Sequence, residues 1–397
     1  MSALKPSILL GNGFNGALKA YIGSNVDLGY ETISRNVLLL SNHQGDGLSK
    51  FLIKNQHEND LELLLSILEN SIQCLKSSID DYCICTKNFK EIISEHKKNL
   101  KEYVINTFTN YNFHPKYQSI FVGNNVDQCA KNLEKFDRIF TINYDLILYW
   151  LLNNKKLLIE TNKNGEVVYG KFRDGFTARN ECKPYNKNTK KPYENLFGFP
   201  ATNNKTNVFF LHGALHLIQK DGYTYKVIRG GSKSHLNLIR LRKVLLKDYE
   251  EFDNLIVFNA TSYEKIKNIY SNVYLEMAYD KIITTSNDIV IYGVNILDSE
   301  EKNISLGNDA HLWRRLINSK SHRLIIGISK SNVDELNHFA KKLAFELQSY
   351  RCKDDSDIKI HCFPQKQINI WQCDNFYQEI LNTISDGYSA GLKKFFH

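Results

Sequence analysis

Three glycines near the start of the chain have a spacing that suits phosphate binding. The stretch "SILLGNGFNGALKA" places Gly11, Gly13 and Gly16 directly after the apolar run of residues 7–10. Glycine allows a sharp turn and lets backbone N–H groups approach a phosphate, and a helix that follows adds its positive N-terminal end. The same pattern also fits an ordinary turn from a strand into a helix, so it needs support from residues elsewhere.

Polar side chains that can act on a ligand follow other apolar runs. Thr141, Asn143 and Asp145 lie in "FTINYD", and His212 lies in "LHG". An imidazole accepts protons near neutral pH, and an amide orients a water or a hydroxyl without adding charge. Structural interpretations exist as well: Asn143 and Asp145 can cap the helix that begins at "LILYWLL", and His212 can be a hydrogen-bonded core histidine. We expect His216 on the face of a helix.

Five short runs rich in β-branched and aromatic residues predict the strands that position these side chains. They are residues 138–143, 207–213, 254–260, 288–294 and 322–328. Several runs are continuously apolar, which is typical of strands buried on both faces of a parallel sheet. Helical patterns lie between some of them, notably at 262–283 and 309–318. We therefore expect an α/β fold with a doubly wound, mostly parallel, Rossmann-like sheet, in which ligands bind beyond the carboxyl ends of the strands.

The chain is expected to form one domain over residues 1–397 with two insertions. Helical periodicity predicts a helical insertion at 33–115, after a loop at 22–33. The segment 155–205 is rich in Asn, Lys, Tyr and Pro and predicts an irregular insertion. The tail after Ile328 continues the α/β pattern and is expected to end in a helix.

Composition excludes several classes of protein. The 397 residues carry a formal net charge of +8, but the lysines are dispersed among acidic residues, so direct nucleic-acid binding is not expected. The basic segment 229–243 fits a solvated loop and amphipathic helix better than a phosphate contact. We expect no membrane helix and no secretory signal. Eight cysteines without a C-x-x-C pair predict neither disulfides nor a zinc ribbon, and fit a reducing cytoplasm.

The order of these motifs along the chain resembles a known family. "LLGNGF", "FTINYD", "LHGALHL" and "IVIYGVNILD" occur in the order found in the sirtuin-type NAD-binding fold. The sequence is more similar still to the sirtuin-like NAD-consuming proteins of bacterial antiphage defence. The resemblance extends roughly from Ser7 to Ile328, with insertions.

The resemblance implies a role for each motif. It assigns catalysis to three residues. Asn143 works at the nicotinamide riboside end, Asp145 binds or orients that end, and His212 hydrogen-bonds the ribose and acts as a base. It assigns binding of the nucleotide to the glycine-rich loop, to the strand tip before Asn143, and to a later loop. These binding residues are Gly11, Asn12, Gly13, Phe14, Thr141, Gly293, Val294 and Asn295.

The sequence departs from sirtuin deacylases where those enzymes hold zinc and peptide. No cysteine occurs between His212 and Phe258, so the four-cysteine zinc module is missing and we expect no metal. The deacylase "FGE" appears as Phe258-Asn259-Ala260, Ile142 replaces a glutamine, and Tyr144 replaces a smaller apolar residue. These departures favour hydrolysis of NAD, the expected substrate, over deacylation.

This chemistry suits the residues present. Nicotinamide leaves NAD as a neutral molecule and needs no general acid, unlike an ordinary glycoside with its two carboxylates. The site must support an oxocarbenium-like ribose and place a water. Asn143 can orient that water or a ribose hydroxyl, His212 can accept the proton, and Asp145 would bind rather than attack. The resemblance further implies an antiphage effector that depletes NAD as a homo-oligomer, with a separately encoded sensor or ATPase as a partner.

Other functions fit part of the same pattern. A nicotinamide-dependent dehydrogenase would need an acidic residue ending a second strand about twenty residues after the glycines. Asp27 and Glu31 lie near that distance, but the residues around them are a poor buried strand. A non-catalytic module that senses NAD or a nucleotide is a further alternative, and a protein deacylase is another.

Overall fold

The structure is a computed structural model, and it describes a defined part of the chain. The described residues are 5–22, 102, 105, 126–152, 159–161, 167–169, 172–177, 184–186, 191–193, 196–199, 206–228, 241, 245, 252–257, 261–294, 296–298, 304–306, 309–330, 332–351, 358–385 and 389–391. The predicted helical insertion at 33–115 lies outside this set except for residues 102 and 105, and the predicted loop at 22–33 lies outside it after Ile22.

Strands and helices alternate along much of the described chain. The strands are β1 (Ser7–Leu10), β2 (Ile139–Thr141), β3 (Ile159–Thr161), β4 (Val167–Tyr169), β5 (Tyr185–Asn186), β6 (Lys191–Pro192), β7 (Leu196–Gly198), β8 (Val208–Phe210), β9 (Gly213–Lys220), β10 (Tyr223–Val227), β11 (Asp253–Ile256), β12 (Ile289–Tyr292), β13 (Leu297–Asp298), β14 (Ile304–Ser305), β15 (Arg323–Ile328), β16 (Lys359–Pro364) and β17 (Ser389–Gly391). The helices are α1 (Gly13–Ile22), α2 (Asp127–Leu133), α3 (Ile147–Leu152), α4 (Ser262–Tyr270), α5 (Val273–Ile283), α6 (Ala310–Ile317), α7 (Val333–Gln348) and α8 (Phe376–Ser385).

The main sheet confirms the predicted α/β class. Its strand order is β17-β16-β15-β12-β1-β2-β8, and neighbouring strands from β16 to β8 are parallel. From β8 to β16, the order is that of a doubly wound nucleotide-binding fold. The chain passes outward from β1 through β2 to β8, and then outward on the other side of β1 through β12 and β15 to β16. The chain therefore reverses its direction of winding between β1 and β12. Ligands bind at such a reversal point in open α/β sheets.

Continuous apolar runs explain why these strands lie inside the molecule. All four residues of β1 and of β12 are buried, and Phe140 of β2 stacks on Phe209 of β8 with ring centroids 5.2 Å apart. A strand covered by helices on both faces has no solvent side, so apolar residues occupy consecutive positions. The predicted strands at 138–143, 207–213, 288–294 and 322–328 all form in this sheet.

The predicted strand at 254–260 is the exception. Residues 253–256 form β11 in a separate four-stranded sheet, β11-β9-β10-β7, whose neighbouring strands are antiparallel. The hairpin between β9 and β10 turns at Asp221 and Gly222, which both have positive φ. This D-G pair is a common hairpin turn and joins β9 to β10. β11 pairs with the other edge of β9.

The predicted helix at 262–283 is two helices. Asn272 interrupts it, because its side-chain oxygen accepts hydrogen bonds from the backbone N–H groups of Tyr274 and Leu275 and so starts α5. The helix predicted at 309–318 forms as α6, and the α/β pattern continues after β15 to α8 and then to β17, which is antiparallel to β16. Among the described residues, no helix has both the length and the apolar character needed to cross a membrane.

Candidate active site

Four loops meet at the carboxyl edge of the main sheet. In the register of the sheet, Leu10 of β1 lies beside Thr141 and Tyr292, and Thr141 lies beside Phe210 of β8. The segments that follow these strands are therefore neighbours at one edge. They are residues 11–14, 142–145, 211–213 and 293–294, and they contain most of the side chains that the sequence predicts for the site. Asn295 lies outside the described residues, as do Phe258, Asn259 and Ala260.

The loop after β1 packs directly on the loop after β12. The backbone N–H groups of Gly11 and Gly13 donate to the carbonyl oxygens of Tyr292 and Gly293, both at 2.8 Å. A Cβ at Gly13 would lie 2.5 Å from the Cα of Gly293. Gly293 itself has φ +77°, which disfavours other residues. These glycines permit the two loops to touch. Because the N–H groups of Gly11 and Gly13 already donate to carbonyl oxygens, a phosphate at this edge would be bound by other groups.

Phe14 and Asn12 of that loop differ in their burial, since Phe14 is buried and Asn12 is half-buried. The ring of Phe14 is 1% exposed and packs on Trp371 with centroids 4.8 Å apart, while the indole N–H of Trp371 donates to the Phe14 carbonyl. The ring is part of the core, and the backbone N–H of Phe14 donates to the carbonyl of Gly11 at 3.0 Å. Asn12 is half-buried at the edge of the sheet.

A relay of amides connects the first two loops. Asn143 donates from Nδ2 to the carbonyl of Gly11 at 3.0 Å and to Oδ1 of Asn15 at 3.5 Å. Asn15 donates from its own Nδ2 to Oδ2 of Asp145 at 2.6 Å. Asp145 also accepts the backbone N–H of Ile147 at 2.7 Å, and so it caps the start of α3. The relay fixes the orientation of the Asn143 amide, and Asp145 has a structural role within it.

Burial and hydrogen bonding have opposite effects on the pKa of Asp145. The residue is 6% exposed, and desolvation raises the pKa of its carboxyl group above the ordinary value. The hydrogen bonds from Asn15 and Ile147 act in the opposite direction. Thr141 belongs to the same local structure, because its hydroxyl oxygen accepts the backbone N–H of Asn143 at 3.1 Å.

His212 comes from the neighbouring strand, two residues after Phe210. Its carbonyl accepts the N–H of Val257 at 2.9 Å, and its ring lies near the ring of Tyr144 with centroids 6.4 Å apart. Gly213 has φ +74°, and a Cβ there would lie 1.8 Å from the carbonyl oxygen of Leu255. The glycine in "LHG" therefore lets β11 approach closely, which holds the backbone of His212 in place.

Helices α4 and α6 bring further polar groups to His212. Nε2 of His212 lies 3.3 Å from Nε2 of His311, and both residues are 2% exposed. Asp309 forms an ion pair with Lys265, with Oδ1 and Nζ 2.9 Å apart. One ligand atom from each of His212, Asp309 and His311 lies within 4.8 Å of the other two. The sequence pattern did not identify this cluster.

The cluster sets the protonation of its members. Desolvation lowers the pKa of His212 to about 3, with Lys265 and His311 acting in the same direction and Asp309 opposing them. Lys265 and the two histidines lower the pKa of Asp309 to about 2, although desolvation opposes them. His212 is therefore neutral at physiological pH, and Asp309 is ionised beside an ammonium group.

The prediction for His216 is wrong. His216 lies in β9 rather than on a helix, because the residues after Gly213 pair with β10 and β11. Its ring packs between Tyr149 and Phe210, with centroids 4.5 Å and 4.9 Å away. Neither ring nitrogen has a hydrogen-bond partner among the described residues, and burial lowers the pKa of the ring well below its usual value. His216 is a core residue.

Residues that sequence reasoning missed complete this edge. Gln365, which follows β16, accepts the N–H of Gly293 at 2.8 Å and is half-buried. Asn15 holds the relay described above. His311 and Asp309 begin the segment "DAHLWRRLIN", where helical periodicity was visible but nothing local indicated that the polar residues face His212. Among these residues, only Asn15 could have been identified from the sequence, because it is a polar residue at a position of α1 that the helix buries.

Comparison with known proteins gives one family match. A family described as a domain of unknown function, DUF4917, matches residues 8–371. Among curated proteins, none matches the chain.

Proposed function

Because the chain belongs to the DUF4917 family, described only as a domain of unknown function, we propose a function from the site itself. We propose that the protein is an NAD glycohydrolase, which cleaves the bond between nicotinamide and ribose to give nicotinamide and ADP-ribose. The substrate is NAD, and no further cofactor takes part in the reaction.

One observation carries the proposal: Asn143 and His212 follow neighbouring parallel strands at the same edge. Thr141 and Phe210 lie side by side in the sheet. Asn143 comes two residues after Thr141, and His212 comes two residues after Phe210. The loop after β1, which lies on the other side of β2, supplies the carbonyl that holds the Asn143 amide. Asn143 follows the strand next to β1, and His212 follows the strand beyond it, on one side of the point where the sheet reverses its winding. Such folds bind nucleotides at that point.

The residues support a dissociative hydrolysis. Nicotinamide departs without protonation, and the ribose carbon that it leaves gains positive charge. Asn143 orients a water molecule or a ribose hydroxyl through its amide and adds no charge beside the cationic nicotinamide ring. The water oxygen bonds to the ribose carbon, and its proton passes to His212 or to solvent. Asp145 contributes by holding Asn15, and through it Asn143.

The low basicity of His212 favours an alternative function, the binding of NAD or a related nucleotide without catalysis. With a pKa of about 3, the buried imidazole accepts a hydrogen bond readily but takes a full proton only at considerable cost. A site of this kind also suits a module that binds NAD or a related nucleotide and signals its presence without turnover. The dehydrogenase is less well supported, because Thr141, Ile142 and Asn143 end the strand beside β1 and none of them is acidic.

The biological setting follows from the resemblance to sirtuin-like defence proteins. We propose a cytoplasmic antiphage effector that is inactive until infection and then depletes cellular NAD. Activation would involve a homo-oligomer, a separately encoded sensor or ATPase, or both. The departures from the deacylases at Ile142 and Tyr144 support hydrolysis rather than transfer to a peptide.

Incubation of the purified protein with NAD tests the proposal directly. Products are resolved by chromatography, with and without the product of the neighbouring gene, and NAD is also measured in cells that express the protein. We expect nicotinamide and ADP-ribose in equal amounts, and we expect their release to fall at least about a hundredfold in Asn143→Ala and in His212→Ala. Unchanged thermal unfolding of each variant shows that the loss is chemical.

A matched control separates catalysis from loss of a buried histidine. His216→Phe keeps the aromatic contacts of another buried histidine four residues away, and it should retain full activity. Wild-type activity in His212→Ala would remove His212 from the mechanism. Binding of NAD without nicotinamide release under every condition would select the sensing module instead.

A further inference from the structure

We propose that His212, His311 and Asp309 form a binding site for a divalent transition-metal ion such as Zn²⁺. The proposal departs from the sequence-based expectation that the protein holds no metal, which rested on the missing cysteine module. Two imidazole nitrogens and a carboxylate oxygen are a common donor set for zinc sites with one open position. The three residues come from different parts of the chain, the loop after β8 and the start of α6, and only the tertiary structure brings them together.

The distance between the two histidines matches coordination. Zinc binds imidazole nitrogen at 2.0–2.1 Å, so two nitrogens at a tetrahedral angle lie about 3.3–3.4 Å apart. Nε2 of His212 and Nε2 of His311 are 3.3 Å apart, and all three ligand atoms fit within 4.8 Å of one another. Without a metal, the same 3.3 Å separation is that of a hydrogen bond in which one Nε2 carries the proton, and a bound metal replaces that proton.

The side chain of Asp309 belongs to this cluster and does not cap its helix through a hydrogen bond. It occupies the N-cap position of α6, where an aspartate usually accepts a hydrogen bond from the first turn, yet its side chain accepts none there. The N–H of His311 in that first turn donates to the hydroxyl of Ser262 at 2.7 Å instead. The carboxylate of Asp309 pairs with Lys265 beside the two histidines, and Ser262 replaces it as the cap.

Lys265 competes with a metal for Asp309. Its ammonium group is 2.9 Å from Oδ1 of Asp309, and the residue is 2% exposed. A divalent cation in the same buried space is repelled by the ammonium and attracted by the carboxylate, so Lys265 weakens the site. We therefore expect Lys265→Met to bind the metal more tightly than the wild-type protein does.

Metal binding would also affect the activity proposed above. A metal on Nε2 of His212 holds the ring and occupies the lone pair that faces His311, and we expect it to slow nicotinamide release. This consequence rests on the proposed function, whereas the site itself does not. The binding measurement below involves no substrate, so failure of the site and failure of the hydrolase are distinguishable.

Titration of tag-free protein with Co²⁺ and with Zn²⁺, followed by calorimetry and by the visible absorption of Co²⁺, tests the site. We expect one ion per chain, and we expect His311→Gln to lower the affinity at least about tenfold, since changes around metal ligands cost 10–100-fold. His322→Ala removes an exposed histidine and should bind as the wild type does. Lys265→Met should shift the affinity upward.

Three results would overturn the proposal. They are the absence of a bound ion in the wild type, equal binding by wild type and His311→Gln, and weaker binding by Lys265→Met at unchanged folding. Since glutamine keeps most of the volume of histidine, His311→Gln should fold. Circular dichroism of the metal-free protein verifies this, and Asp309→Asn provides a second variant with the same expected loss of affinity.

Discussion

Substitutions of Asp145 distinguish the hydrogen-bond pattern of the amide relay from the charge of its carboxylate. Asp145→Ala removes the acceptor for the Ile147 N–H, which costs about 1 kcal/mol as the loss of a helix cap. It also leaves the Nδ2 group of Asn15, a residue that is 2% exposed, without its acceptor, which costs about 1–3 kcal/mol. We expect Asp145→Ala to lower the free energy of unfolding by about 3 kcal/mol.

Asp145→Asn should cost much less. The new amide oxygen still accepts the Ile147 N–H, while its NH₂ group meets the NH₂ group of Asn15. A half-turn of the Asn15 amide restores that hydrogen bond and sacrifices only the 3.5 Å contact with Asn143. We expect a loss of about 1 kcal/mol or less, together with a less ordered Asn143.

Urea unfolding followed by tryptophan fluorescence measures both variants. Asp145→Ala should shift the midpoint clearly, and Asp145→Asn should shift it about a third as far or less. If both variants lose the same free energy, the negative charge rather than the hydrogen-bond pattern connects these loops, and the reasoning above is wrong. If neither loses any, the relay contributes nothing to stability.

Three further substitutions, one of them a matched control, test the packing around the site. Gly293→Ala should lower the free energy of unfolding by at least about 1 kcal/mol, because its φ is +77° and its Cβ would lie 2.5 Å from the backbone nitrogen of Phe14. Gly16→Ala is the matched control: nothing lies within 4 Å of its Cβ, so alanine in α1 should stabilise by about 0.5–1 kcal/mol, as thermal unfolding will show. Asn272→Ala should destabilise by about 1–2 kcal/mol, because it removes the cap of α5 and the acceptor for the Thr224 hydroxyl; equal urea midpoints for Asn272→Ala and the wild type would contradict this.

The fold class could be predicted because its signal is local. A continuously apolar run such as residues 288–294 has no polar face to turn toward water, so it predicts a strand covered on both sides. The run at 254–260 carries a similar signal but pairs with β9 in an antiparallel sheet. The D-G pair at Asp221-Gly222 indicates the hairpin of β9 and β10, but no local pattern indicates that β11 pairs with the other edge of β9.

The candidate site was predictable only in part. The sequence by itself determined that Asn143 and His212 follow strands, since strand ends are visible in the pattern of apolar residues. Tertiary structure decided that these strands are neighbours, because strand order depends on how helices pack between distant segments. It also decided that Asp145 caps a helix and holds Asn15, and that the N–H groups of Gly11 and Gly13 bond to another loop.

The surroundings of His212 show the same division most clearly. A histidine after a buried strand is visible in the sequence, but its protonation depends on groups about 50 and 100 residues away in α4 and at the start of α6. Electrostatic interactions act through space and have no period along the chain, so no local pattern indicates them. The sequence therefore determined which residues can do chemistry, and packing determined which of them meet and in what charge state.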